Sequence, residues 1–164
     1  MNNYIEWFKK NKITEVECLI PDNSGIPRGK ILPTKKFLSS FESGGLRLPL
    51  HLFKLAVSRS VSYSIDDQLL NPTDGDFILK PDFNTLRVVP WYEEPTAQII
   101  CDAVDSKENE IEVYSRGILK RVISLFNNIG LEPIIAPEIE FYFCLLYTSP
   151  SPRDMRRSRM PSSA

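Results

Sequence analysis

Apolar residues change to helical period after the polar stretch at 105–112, and that change bounds what the chain can fold into. Through residue 104 they come in short runs separated by turn chemistry, the pattern of strands. From Ile118 to Ile129 they follow helical spacing instead: Ile118, Leu119, Val122, Ile123, Leu125, Phe126 and Ile129 share one stripe. The polar stretch Asp105–Glu112 separates the two regimes. An α+β fold is therefore expected, with a small mixed-sheet domain first and a helix opening a second domain.

Within the first regime, residues 2–11 suit a short amphipathic helix with Tyr4, Ile5 and Phe8 on one side. Val16–Ile20 and Pro27–Leu32 read as strands joined by Pro21-Asp22-Asn23-Ser24-Gly25, where Gly25 is free to take φ > 0. Thr34 is placed to cap a helix running to Phe41, which Gly44-Gly45 ends. Leu50–Val57 reads as a strand and 58–76 as a polar loop. Phe77-Ile78-Leu79 and Leu86–Val89 flank a tight turn, and Ala97–Val104 is the last strand. In the second regime Ser115 is the expected cap, Gly130 the stop, and Leu131–Phe143 a following strand.

That final strand carries the chemistry. Alternation puts Glu138 and Glu140 on one face of Pro137–Phe143, about 7 Å apart, with Ile139, Phe141 and Phe143 on the other. Two carboxylates so close on an apolar strand call for a cation, and Mg²⁺ or Mn²⁺ suits carboxylate oxygens. A strand whose polar face is merely wet is the plainer alternative.

Composition excludes other classes. The 164 residues are 42% hydrophobic with a net charge of −1, as in a globular protein. No apolar run approaches the ~20 residues of a membrane span, and residues 1–7 lack signal-peptide character. Cys18, Cys101 and Cys144 are too widely spaced for a disulfide framework or a zinc site, so reduced thiols in a cytoplasmic protein are expected. His51 has no Cys, His or acid beside it at metal spacing and reads as structural. Arg28, Lys30 and Arg87 read as solvated strand-face charges, Trp91 as a packing anchor at a domain or subunit contact, and Cys18 and Cys101 as core. Arg116 is placed to pair with an acid at the domain junction.

Five segments in register carry a family likeness: Ile20–Lys30, Asp76–Trp91, Ala97–Asp102, Arg116 with Leu119–Val122, and Pro137–Phe141. Together they resemble the amino-terminal part of the glutamine synthetase family, with the likeness running to the branch that joins glutamate to amines, the γ-glutamyl-polyamine type. The resemblance implies a β-grasp domain at 13–107, after an N-terminal helix at 1–12, and the first helix and strand of a truncated catalytic domain at 113–144. It implies that the β-grasp domain packs on a neighbour in a homo-oligomeric ring. It also implies that Glu138 ligates the metal bridging the ATP phosphates, and Glu140 the metal on the glutamate side. The implied reaction passes the γ-phosphoryl of ATP to glutamate, and ammonia or an amine then displaces phosphate.

Two departures bear on this. Ala56 stands where the ammonia-using members carry an acid, and neither Asp66 nor Asp67 takes over that role from sequence. Ser115 stands where a proline usually precedes the arginine matched by Arg116. The likeness ends at Phe143 or Cys144, before the family's other ligands, so this chain by itself is expected to be inactive and to bind metal weakly. Residues 145–164 carry a charge of +3 with five serines and three prolines, and read as a disordered, non-native tail similar to adaptor- or vector-derived translations. The rival reading is a non-catalytic β-grasp interaction module with a basic tail, although no nucleic acid partner is expected.

Overall fold

The computed structural model describes residues 2–40, 43–55 and 75–140. The chain divides into two compact units, Met1–Glu132 and Pro133–Ala164. The first unit is a mixed sheet with helices. Its order is α1 (Asn2–Lys10), β1 (Glu15–Pro21), β2 (Pro27–Pro33), α2 (Thr34–Ser40), β3 (Leu46–Pro49), β4 (Asp76–Pro81), β5 (Arg87–Val88), β6 (Thr96–Val104) and α3 (Ser115–Asn128). Short 3₁₀ turns occupy Leu50–Lys54 and Phe83–Thr85.

The strands are arranged β2-β1-β6-β4-β3, with β5 also on β6. Only β1 and β6 run parallel, Cys18 lying opposite Ile99; the other pairings are antiparallel. Alternation in β1 buries Val16, Cys18 and Ile20 and leaves Glu15, Glu17 and Leu19 on the other face. The central strand β6 is covered on both faces, and its Ala97, Ile99, Cys101 and Ala103 join β1 in the core. Phe8, Phe37, Phe53, Phe77 and Tyr114 fill the rest of that core. The expected thiol burial holds: Cys18 and Cys101 are both fully buried and free. Cys144 lies outside the described residues.

Several local expectations need correction. Leu50–Lys54 is a 3₁₀ turn, not part of a strand, because β3 ends at Pro49 and one tight turn sends both Leu52 and Phe53 inward. Thr34 does not cap α2: its hydroxyl donates to the Ile13 carbonyl at 2.9 Å, tying the helix start to the segment that leads into β1. Ser115 is the first residue of α3, whose cap position is Tyr114 with no side-chain hydrogen bond. The stop at Gly130 holds. Its φ is +76°, Gly130 N–H donates to Asn127 O and Leu131 N–H to Phe126 O, a Schellman ending.

The strand expected over Leu131–Phe143 is absent through residue 140. A strand is a strand only when its backbone pairs with another, and among the described residues no partner pairs with 131–140. Residues 141–143, like Ala56, Asp66, Asp67 and the tail 145–164, lie outside the described residues.

The turn after β1 acts as a hub. Buried Asp22 accepts from Ser24 N–H and Ile26 N–H, each at 2.9 Å, and from Arg28 Nε at 2.8 Å. The turn so held presents Asn23, whose Nδ2 donates to Phe53 O at 3.2 Å and Val113 O at 2.9 Å. One side chain thus ties β1 both to the 3₁₀ turn and to the approach to α3. Replacing Asp22 with alanine removes acceptors for two backbone N–H groups and a guanidinium. A loss of about 2 kcal/mol is expected in urea unfolding, and an unchanged midpoint would refute this role.

Candidate functional site

Glu138 and Glu140 belong to the second unit, in a stretch without helix or strand. Both side chains are exposed, and Ile139 between them is 82% exposed. Their donor chemistry suits a hard divalent cation. Among the described residues, however, no group of three or more His, Cys, Asp or Glu is gathered that would hold a metal ion. The pair therefore offers carboxylates without a shell around them. His51, in the 3₁₀ turn, is half-buried, and its Nδ1 has no hydrogen-bond partner.

The polar geometry that is built lies on β6. Its Gln98 is buried and accepts from Arg87 Nε at 2.8 Å, while its amide donates to Glu17 at 2.6 Å. The Tyr92 hydroxyl donates to the same Glu17 carboxylate at 3.2 Å. Arg28 is half-buried and engaged by Asp22, so it is not the solvated charge expected; Arg87 is engaged across the sheet by Gln98 yet stays exposed, as expected of a strand-face charge. Lys30 fits that reading too: it is exposed and donates to Arg47 O at 2.8 Å. Trp91 is 65% exposed and meets only the Tyr92 ring among the described aromatic contacts, with centroids 6.3 Å apart.

Four residues further along β6, Asp102 gathers charge from α3. Arg116 Nε donates to Asp102 Oδ1 at 2.9 Å, Lys120 Nζ pairs with Asp102 Oδ2, and the other arm of Arg116 pairs with Asp82. The expected partnership of Arg116 with an acid is therefore present, with two acids in place of one. Burial opposes ionisation of Asp102, but hydrogen bonds and charge from Lys120 and Arg116 outweigh it and hold the carboxyl below its ordinary value. Nearby, burial first and the Asp102 charge second push the Tyr114 hydroxyl up to about 12. The Cys18 thiol and burial push the Cys101 thiol far up, so Cys101 is not an available nucleophile.

Sequence reasoning missed Asp102, Asp82, Lys120 and Asn23. Two signals were present. Asp102 is an acid inside the apolar run Ile99–Val104, and Arg116 and Lys120 stand four apart on one helix face.

No protein-family model matches the chain. A glutamate–isopropylamine ligase from Pseudomonas sp is 26% identical over 137 residues, which cover 84% of this chain and 30% of that protein. The glutamine synthetase of Methanocaldococcus jannaschii is 30% identical over 141 residues, again covering 84% of this chain and 30% of the relative. This chain thus spans about 30% of the length of the curated relatives it matches. A solved structure of a GmaS/ADP complex superposes on 79% of this chain and 26% of its own, with a TM-score of 0.58 at 16% identity, which speaks to the fold alone. Among the described residues no helix is long and apolar enough to cross a membrane. In sequence and in structure, then, the homologues of this chain are glutamine synthetase family members, a glutamate–isopropylamine ligase among them.

Proposed function

We propose that this chain supplies the β-grasp domain, residues 13–107, and the opening of the catalytic domain, 113–144, of an ATP-dependent ligase. That ligase joins glutamate to ammonia or an amine through γ-glutamyl phosphate and serves nitrogen metabolism. The observation that carries the reading is that relatives of both kinds, glutamine synthetase and glutamate–isopropylamine ligase, match over 84% of the chain. The parallel pairing of β1 with β6 and the helix α2 after the β1–β2 hairpin support the β-grasp assignment.

On this reading Glu138 holds the metal at the ATP phosphates and Glu140 the metal at glutamate, both Mg²⁺ or Mn²⁺. Such a cation offsets charge on the transferring phosphoryl group. The carboxylates are this chain's contribution; a ligand set of two is too small to bind tightly alone. The exposed apolar side chains of Trp91, Val88 and Ile31 support a subunit contact in a ring. Buried, unpaired thiols at Cys18 and Cys101 support a reducing, cytoplasmic setting.

A graft tests the reading. Residues 13–143 would replace their counterpart in the Pseudomonas glutamate–isopropylamine ligase, and phosphate release would be followed with glutamate and either ammonia or isopropylamine. Glutamate-dependent turnover is expected, falling about 100-fold or more in Glu138→Gln and Glu140→Gln variants. A folded graft without turnover, or turnover indifferent to both substitutions, would overturn the assignment.

The 164-residue chain alone is expected to release no phosphate and to bind Mn²⁺ with a Kd of about 1 mM or weaker. Binding measured by titration should vanish in the doubly substituted chain. Sustained turnover by the unmodified chain would refute its expected inactivity.

A further inference from the structure

Helix α3 docks the wrong way round for an amphipathic helix. At 100° per residue, Ile118, Val122, Leu125 and Ile129 share one side, flanked by Leu119 and Phe126. All six are between 39% and 70% exposed. Arg116 and Lys120 project from the opposite side, and it is this side that meets the sheet, at Asp102. Within α3 the only buried residue is Gly117, which makes room for the ring of Tyr114 one turn earlier: a Cβ there would sit 2.4 Å from that ring. Ile123, on the edge nearest Arg116, is half-buried; otherwise apolar burial, the usual adhesive of a surface helix, contributes little within α3 itself.

We propose that the Asp102 cluster is a charge latch: it holds α3 against the sheet, and α3 leaves the sheet as a unit when the latch is neutralised. Every charged or titratable group the described residues place around it fits this role. From α3 come Arg116 and Lys120; from the turn after β4 comes Asp82, which takes the second arm of Arg116. From the approach to α3 comes the Tyr114 hydroxyl, 3.4 Å from Asp102 Oδ1, and from β6 itself the neighbouring Cys101. The ion pairs are sheltered, with the Asp102 side chain 12% and the Arg116 side chain 21% exposed, while Lys120 at 38% lies open to solvent and competing ions. Because the Asp102 carboxyl sits below its ordinary value of 3.8, the latch is fully set above that pH and opens as pH falls through the lower, folded value. At neutral pH the effective agent is salt, which screens the exposed arm.

Hydrogen–deuterium exchange on the whole 164-residue chain tests this. Raising NaCl from about 50 mM to about 500 mM shortens the Debye length roughly threefold. Exchange across 118–128 should then quicken severalfold, while β1 and β6 stay protected. Asp102→Asn should quicken the same helix about tenfold at low salt and weaken its salt response to what the Arg116–Asp82 pair leaves, since each hydrogen bond to a charged group contributes about that factor or more. Arg116→Lys, which keeps the charge, should retain most of the protection that Arg116→Met loses.

Helix exchange unaltered by Asp102→Asn, or rising in step with β1 and β6, would overturn the proposal. If Asp102→Asn does not fold, Lys120→Gln decides it: a selective rise of about threefold in the helix supports the latch, and no change refutes it.

Discussion

Gly29→Ala is expected to destabilise the first unit by about 4 kcal/mol, enough to leave little folded protein. Gly29 sits in β2 directly opposite Leu19 in the antiparallel ladder. A Cβ on it would stand 1.8 Å from the carbonyl oxygen of Cys18 and 2.9 Å from its carbonyl carbon. No side-chain rotation relieves a clash with backbone. Either β2 withdraws from β1, or β1 shifts within the core it shares with β6. Both break ladder bonds in a strand that buries Val16, Cys18 and Ile20 completely. Circular dichroism against temperature is the measurement, and a melt superimposable on that of the unsubstituted chain would show that the close approach does not exist.

The second large effect is expected at Phe53. Its ring is 1% exposed, stacked on Phe77 with centroids 5.0 Å apart and tilted against Tyr114 at 5.8 Å. Phe53→Ala opens a cavity between the 3₁₀ turn, β4 and the residue that leads into α3, and a loss of about 3–4 kcal/mol follows. Phe53→Leu keeps much of the volume but not the ring stacking, and should recover about half of that loss. Urea midpoints compare the three proteins. An alanine variant within about 1 kcal/mol of the parent would mean that the turn Leu50–Lys54 does not pack as described. The Phe53 carbonyl also accepts from Asn23, so loss of the ring is expected to loosen the hub that binds β1 to Val113.

Much of this fold was legible in advance, and the particular residues show why. The strands β1, β2 and β6 follow from alternation and turn chemistry: β1 buries one face and β6 both, while β2, with no buried residue, is set by the turn that folds it back on β1. The end of α3 follows from Gly130, since a positive φ at a helix terminus is a local demand. Leu50–Lys54 was misread because a short segment with three apolar residues, Leu50, Leu52 and Phe53, fits a strand or a tight turn equally well, and only the neighbours choose. The stretch 131–140 was misread for a related reason: its alternation is real, yet pairing is a property of two strands.

The candidate site divides along the same line. Glu138 and Glu140 were visible as a pair because E-x-E spacing is written in adjacent residues. The Asp102 latch was not, since its ion pairs join residues 14 to 34 apart that meet only when β6, the turn at Asp82 and α3 converge.

By itself, then, the sequence determined the phase of each element: which side chains share a face, where the chain turns, and where α3 stops. Only the tertiary structure decided which face each element turns inward. For α3 that outcome opposes the usual one. Period alone cannot say whether an apolar stripe or a pair of cations will find its partner first. Here an acid on β6 engages Arg116 and Lys120, while the stripe faces out in this chain.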